Sequence, residues 1–288
     1  MAEIPAALVV KLRKMSGQGM MDCKKALEEA NGNVDEAMAI LRKKGLATLA
    51  KRAERATTQG LVVGKTSSDG KTAVLASLCC ETDFVANSDD FKAAAEKLAE
   101  YGMACAQNDG IENVLGTVVA GKKFNDVITE LVSKTGEKTE IGDYAKFKLD
   151  GPGLISTYIH FNKKVGTTLE ISASDAKVAS SDELKRAGAD IAMHITATKP
   201  LALDKSGIDP KVIEQEKSIY ADQVKNKPAN IVDKIVEGKL NKFFEDNCLL
   251  DQKFVKDDTK TVAQVLEEAA KSAGGKATLK KFVRFDVG

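Results

Sequence analysis

Residues 73–91, AVLASLCCETDFVANSDDF, decide how the rest of the chain is read. The apolar run 73–80 has the composition of a strand and ends at Glu81. A helical pattern opens at Asp89-Asp90-Phe91. Between the two lies Glu81-Thr82-Asp83-Phe84-Val85-Ala86-Asn87. Strand-to-helix connections run over the surface, because burying them strands backbone polar groups. This one carries a Phe beside an Asp. Such a ring is either tucked under the following helix or offered to a partner.

Upstream, Leu61-Val62-Val63 and residues 73–80 flank Ser67-Ser68-Asp69-Gly70, a hairpin signal. Downstream, a helix over 88–106 places Phe91, Ala94, Ala95, Leu98 and Met103 inward, and 111–136 reads as mainly helical, with Val127, Ile128, Leu131 and Val132 inward. A second run of strands follows at 144–149, 154–161 and 165–173, then a helix over 182–198 stopped by Pro200. The pattern is a duplication. Val85-Ala86-Asn87-Ser88-Asp89-Asp90-Phe91 aligns with Val178-Ala179-Ser180-Ser181-Asp182-Glu183-Leu184 at an offset of 93 residues, as does Gly60 with Gly153. The core therefore reads as two related α+β halves of antiparallel hairpins with packed helices, 60–140 and 141–288. The duplication is also an internal control. Thr82-Asp83-Phe84 does not repeat; its counterpart is Asp175-Ala176-Lys177. An aromatic needed only to anchor the junction would be needed twice, which turns Phe84 toward a partner.

Before the core, residues 1–55 read as three short helices and a linker. Ile4, Leu8, Leu12 and Met15 share one helical face, and Ser16-Gly17-Gln18-Gly19 ends it. Cys23, Ala26, Leu27 and Ala30 face inward on the second helix; Val34, Ala37, Met38 and Leu41 line the third, which is expected to stop at Gly45. Residues 209–246 form a helical hairpin inserted in the second half, with Val212, Ile213, Ile219, Tyr220 and Val224 facing Ile231, Ile235, Val236, Leu240 and Phe243. A helix over 261–272 and a strand over 279–287 close the chain.

The 288 residues are 43% hydrophobic and 30% charged, ordinary for a folded protein. With 43 basic against 42 acidic residues there is no surplus for counterion release, so no nucleic acid is expected as partner. No long apolar run or secretory signal occurs, so neither a membrane nor export is expected. Five cysteines without metal-ligand spacing read as small buried hydrophobes in a reducing, cytoplasmic location. Gly60-Leu61-Val62-Val63-Gly64-Lys65-Thr66 falls one residue short of a phosphate-binding loop and leads into a hairpin, so no nucleotide is expected to bind directly. Gly17-Gln18-Gly19 lacks the preceding strand and third glycine of a dinucleotide fingerprint. A Cys–His nucleophile would have to join Cys79 or Cys80 to His160 or His194, and no acid is spaced to orient either ring. No enzymatic site and no cofactor emerge. Met20-Met21 cannot both face inward on one helix, so at least one is expected at the surface, where Met is an adaptable contact.

Residues 16–45, SGQGMMDCKKALEEANGNVDEAMAILRKKG, resemble the ubiquitin-associated-like N-terminal domain of the bacterial elongation factor Ts family. The resemblance extends through Thr82-Asp83-Phe84-Val85-Ala86, Ile191-Ala192-Met193-His194-Ile195 with Lys199-Pro200, residues 234–262 and Arg284-Phe285-Asp286-Val287-Gly288. It implies a guanine-nucleotide exchange factor acting on the GTPase elongation factor Tu. By resemblance, Thr82, Asp83, Phe84 and Val85 form the motif that disturbs the partner's magnesium site, and Arg13, Met20, Met21 and His160 make further contacts. After His160 this chain has Phe161-Asn162-Lys163-Lys164, where the family commonly has a Pro-Gly-Gly-like turn. The competing expectation is an interaction adaptor without exchange activity.

Overall fold

The computed structural model describes residues 4–224 and 228–288. Three helices come first: α1 (Ala6–Ser16), α2 (Met20–Glu29) and α3 (Val34–Lys51). Gly17, at φ +67°, ends α1 with its N–H on the Arg13 carbonyl. Asn33 Oδ1 accepts from the Asp35 and Glu36 amides at 3.0 and 3.2 Å and starts α3. Val9, Leu12, Cys23, Ala26, Leu27, Ala37 and Leu41 form a small core. Met15, expected inside, is 53% exposed, because it lies in the last turn of α1 beyond that core.

The first half comprises β1 (Gln59–Thr66), β2 (Thr72–Cys80), α4 (Asp83–Ala86), α5 (Asp89–Ala104), α6 (Ile111–Gly116), β3 (Val118–Val119), β4 (Lys122–Lys123), α7 (Phe124–Thr135) and β5 (Thr139–Lys148). The stretch 111–136 is mainly helical, as expected, but its two helices are separated by the β3–β4 ribbon, where Ala120 and Gly121 take φ +50° and +78°. The strand expected over 144–149, grouped by sequence order with the second run of strands, is instead the end of β5 (to Lys148), which pairs with β2 in a sheet ordered β1-β2-β5. The reason lies in β2: it is buried almost end to end, and such a strand needs a neighbour on both edges.

The second half repeats this plan with β6 (Gly153–Ile159), β7 (Val165–Ala173), α8 (Ala176–Ser180), α9 (Asp182–Thr198), α10 (Pro210–Val224), α11 (Ala229–Asn247), β8 (Lys253–Phe254), β9 (Asp257–Thr261), α12 (Val262–Ser272) and β10 (Ala277–Asp286). Its sheet runs β10-β7-β6, so again the third strand joins the far edge of the hairpin. The two sheets pack against each other through Val62, Leu75, Ala73, Phe147, Ile155 and Val287. The outer face of the first carries α5 and α7; that of the second carries α9 and α12.

α3 does not stop at Gly45. A Cβ there would lie 2.5 Å from the Thr129 carbonyl oxygen, so this glycine serves close packing of α3 on α7 rather than termination. The helical hairpin is seated at its base, where Val212, Ile213, Phe243 and Phe244 surround Ala202, Ile208 and Cys248. Ile219 and Ile231, expected in its seam, are 48% and 43% exposed, because two helices alone cover only a narrow stripe. Its expected turn includes Asn226 and Lys227, which lie outside the described residues. All five cysteines are buried and free.

Candidate functional site

The motif at 82–85 is a single helical turn, not an irregular loop. Thr82 caps α4, its Oγ1 accepting from the Val85 amide at 3.4 Å. The same threonine is held from behind by Glu137, which follows α7. One carboxylate oxygen of Glu137 accepts the Thr82 N–H at 3.1 Å, and the other accepts its hydroxyl proton at 2.8 Å. Ala86 is buried and Val85 packs against the first core. With those two facing inward, helical geometry turns Asp83 and Phe84 outward. Phe84 is 86% exposed.

Glu81, directly before the motif, is a junction. Both its oxygens meet Arg52 Nη1, at 2.8 and 2.9 Å; Arg55 reaches it at 3.0 Å, and the Lys138 N–H donates at 2.7 Å. Burial pushes this carboxyl toward neutrality, but the Lys138 amide and the two guanidinium groups outweigh it and hold the pKa down at about 2. The segment leaving α3 is thereby tied to the root of the motif.

The second half supplies the comparison. Asp175 caps α8 as Thr82 caps α4, accepting from the Val178 amide at 2.9 Å, and Ser181 caps α9 as Ser88 caps α5. At the position of Phe84 stands an exposed lysine, Lys177. The turn therefore forms without an aromatic.

The remaining predicted contacts fall into two groups. Arg13, Met20 and Met21 lie exposed on the three-helix unit, the methionines at 42% and 61%. That unit meets the core beside the motif: Lys134 of α7 packs against Gly17 and pairs with Asp90, near the start of α5, at 3.0 Å. His160 is half-buried in the β6–β7 turn, with Nδ1 3.2 Å from the Tyr158 hydroxyl and its ring 4.4 Å from that of Phe161. Gln59 lies between turn and motif: it pairs with Cys80 and accepts from Lys164 Nζ at 2.9 Å. In this region Glu137 carried no sequence expectation, and Phe161, expected at the end of a strand over 154–161, lies instead in the turn after β6, which stops at Ile159. Glu137 had no local signal, since it lies 55 residues from its partner. Phe161 was legible through its duplicate, Ser68.

Other chemistry is disfavoured by the geometry. Residues 59–66 form a strand, which offers no phosphate cradle. Burial raises the Cys79 thiol pKa and pushes that of Cys80 up to about 12, the wrong direction for a nucleophile. His194 is fully buried; its Nε2 bonds Gln252 at 2.9 Å and its Nδ1 accepts the Val255 N–H at 3.2 Å. Among the described residues no group of three or more His, Cys, Asp or Glu side chains is placed to hold a metal ion.

Comparison with known proteins settles the family. The model of the family described as Elongation factor TS matches residues 81–288. The chain is 43% identical over 287 residues to the Elongation factor Ts of a Nitratiruptor species, covering 99% of this chain and 93% of that protein. It is 38% identical over 292 residues to that of Desulfovibrio desulfuricans, covering 100% and 99%, and 40% identical over 288 residues to that of Clostridium perfringens, covering 99% and 93%. The chain belongs to the elongation factor Ts family. Its place is thus in translation elongation. The elongation factor Ts match begins at Glu81, the root of the motif, and runs through both halves of the core. The full-length relatives also cover the three-helix unit that precedes it. No described helix of this elongation factor Ts relative is long and apolar enough to cross a membrane.

Proposed function

We propose that this protein is a guanine-nucleotide exchange factor for the GTPase elongation factor Tu, working in the cytoplasm with three parts: residues 1–55, a first core half extended from the expected 60–140 to the end of β5 at Lys148, and a second core half from there to 288. The observation that carries the reading is Phe84: an 86% exposed ring on a turn fixed by Thr82 and Glu137, at a position where the duplicate half uses a lysine. In this reading Phe84 wedges between the partner side chains that order the water shell of its magnesium ion. Asp83, exposed beside it, hydrogen-bonds the partner, while Thr82 and Val85 hold the turn. Loss of the cation leaves the diphosphate charge without compensation, and GDP departs. Arg13, Met20, Met21 and His160 supply binding energy away from the wedge.

Linkage fixes the cycle. If the factor weakens GDP binding by a given ratio, GDP weakens the factor's binding by the same ratio, and rebinding of GTP expels it. The test is release of a fluorescent GDP from elongation factor Tu. The native chain accelerates release, and Phe84→Ala lowers the maximal rate by about ten- to a hundredfold, roughly 1.4–2.7 kcal/mol, while remaining folded. Equal acceleration by both proteins would remove Phe84 from the mechanism. No acceleration by the native chain would leave an adaptor that binds without exchange.

A further inference from the structure

The duplication reaches the hairpin turns. In the β1–β2 turn, the Ser67 N–H donates to the Thr72 carbonyl at 2.8 Å, the Gly70 N–H donates to the Ser67 carbonyl at 2.9 Å, and Asp69 Oδ1 accepts from the Lys71 amide at 3.0 Å. In the β6–β7 turn, the His160 N–H donates to the Val165 carbonyl at 2.9 Å, the Lys163 N–H donates to the His160 carbonyl at 2.8 Å, and Asn162 Oδ1 accepts from the Lys164 amide at 3.0 Å. Gly70 and Lys163 share the left-handed region, at φ +68° and +55°. Bond for bond, this is one backbone turn written in two sequences.

Ser-Ser-Asp-Gly builds that turn from polar residues, with glycine where φ is positive. His-Phe-Asn-Lys builds it with a strained lysine and an aromatic that the backbone does not require. Phe161 occupies the position of Ser68 and is 88% exposed, above even the 86% of Phe84; no other large hydrophobic side chain among the described residues passes 61%. Its one aromatic contact is His160, proposed above as a contact with the partner. The turn is also fastened to the strand that borders the motif. The Val62 N–H donates to the Lys163 carbonyl at 2.7 Å, and Lys164 Nζ reaches Gln59, which pairs with Cys80 just ahead of Glu81. The turn that carries Phe161 and the strand end that leads into the motif are thus both bonded to residues 59–62 of β1.

We propose that Phe161 is a second aromatic anchor for the GTPase partner, seated in an apolar socket on a part of that partner other than the one receiving Phe84. The inference rests on the exchange reading above. An anchor away from the magnesium site contributes equally to the ground and transition states of release, so it sets affinity and not maximal rate.

The experiment measures release of fluorescent GDP from the GTPase against factor concentration, for the native chain, Phe161→Ser and Phe84→Ala. Serine is what the duplicate turn carries, so the variant keeps the backbone; thermal denaturation and sedimentation accompany the kinetics. Phe161→Ser raises the half-saturating concentration by about five- to thirtyfold and leaves the maximal rate within about twofold, and Phe161→Leu recovers most of the loss. Phe84→Ala shows the opposite split. An unchanged half-saturating concentration for Phe161→Ser, with Phe84→Ala still impaired, overturns the anchor and spares the exchange reading. No acceleration by the native chain overturns both. A native dimer that Phe161→Ser converts to monomer, with release unaltered, overturns the proposal in favour of a second copy of this chain.

Discussion

Thr82 and Glu137 form a two-point clamp: one carboxylate receives both an amide and a hydroxyl proton from one residue. Hydrogen bonds to a charged acceptor contribute more than neutral ones, about 1.5–3 kcal/mol each when desolvated, and these are only partly buried. Glu137 also has the advantage of position, since it leaves the end of α7 through Gly136, which takes φ +71°. A clamp of this kind holds a wedge in place before it meets its target, so its loss is felt as rate more than as affinity. Glu137→Ala is expected to lower the maximal GDP-release rate by roughly three- to tenfold, with little change in half-saturation. Glu137→Gln, whose amide oxygen still accepts one proton, falls between. Faster hydrogen exchange at the Val85 amide, with the α5 amides unchanged, separates this positioning role from general instability. Identical exchange in Glu137→Ala and the native chain would sink it.

Among the elements, legibility tracked how local the cause was. β7 and α9 were read from sequence to the residue, because each carries its own period and α9 its own stop signal. Two hairpins, β3–β4 and β8–β9, escaped because β3, β4 and β8 are two residues long and β9, Asp-Asp-Thr-Lys-Thr, has no apolar residue to set a period. The sheet that β5 joins escaped because pairing with β2 is decided across the intervening α5–α7 excursion. In the site, the exposure of Phe84 was legible through the duplicate half, whereas the partner of Thr82 was not, being a long-range contact. Gly45 shows the contest directly. Locally it reads as a helix stop; in the fold it lets α3 lie on α7, where a Cβ would also sit 2.9 Å from the Ser133 Cβ. Gly45→Ala should gain about 1 kcal/mol of helix propensity. Overpacking against the Thr129 carbonyl should cost about 1–3 kcal/mol. Net destabilisation is therefore expected in urea denaturation; a more stable variant would show that α3 and α7 are not tightly packed at this point.

Across the whole molecule, one carboxylate connects the parts that the exchange reading needs to act together. Glu81 receives Arg52 and Arg55 from the segment after α3, and the Lys138 N–H from the connection between α7 and β5; the motif begins at the next residue. At this point the segment leaving the three-helix unit and the root of the 82–85 turn are therefore braced on one ionised group. Its titration gives the sign of the pH effect. The folded-state pKa is held at about 2, below the ordinary 4.5, so the unfolded chain takes up the proton first as pH falls. The stabilisation is complete above about pH 4.5 and is lost as pH falls toward 2. Replacing Arg52 and Arg55 together with alanine removes two of the three donors and leaves the Lys138 amide. The double variant is expected to be less stable at neutral pH and to lose less stability between pH 4.5 and the acid limit, because the Glu81 pKa returns toward its ordinary value. Denaturant titrations of both proteins at several pH values measure the two slopes. Parallel slopes would mean that Glu81 is held by its backbone donor alone. A salt-bridge brace at Glu81 would then be excluded as a link between the three-helix unit and the motif.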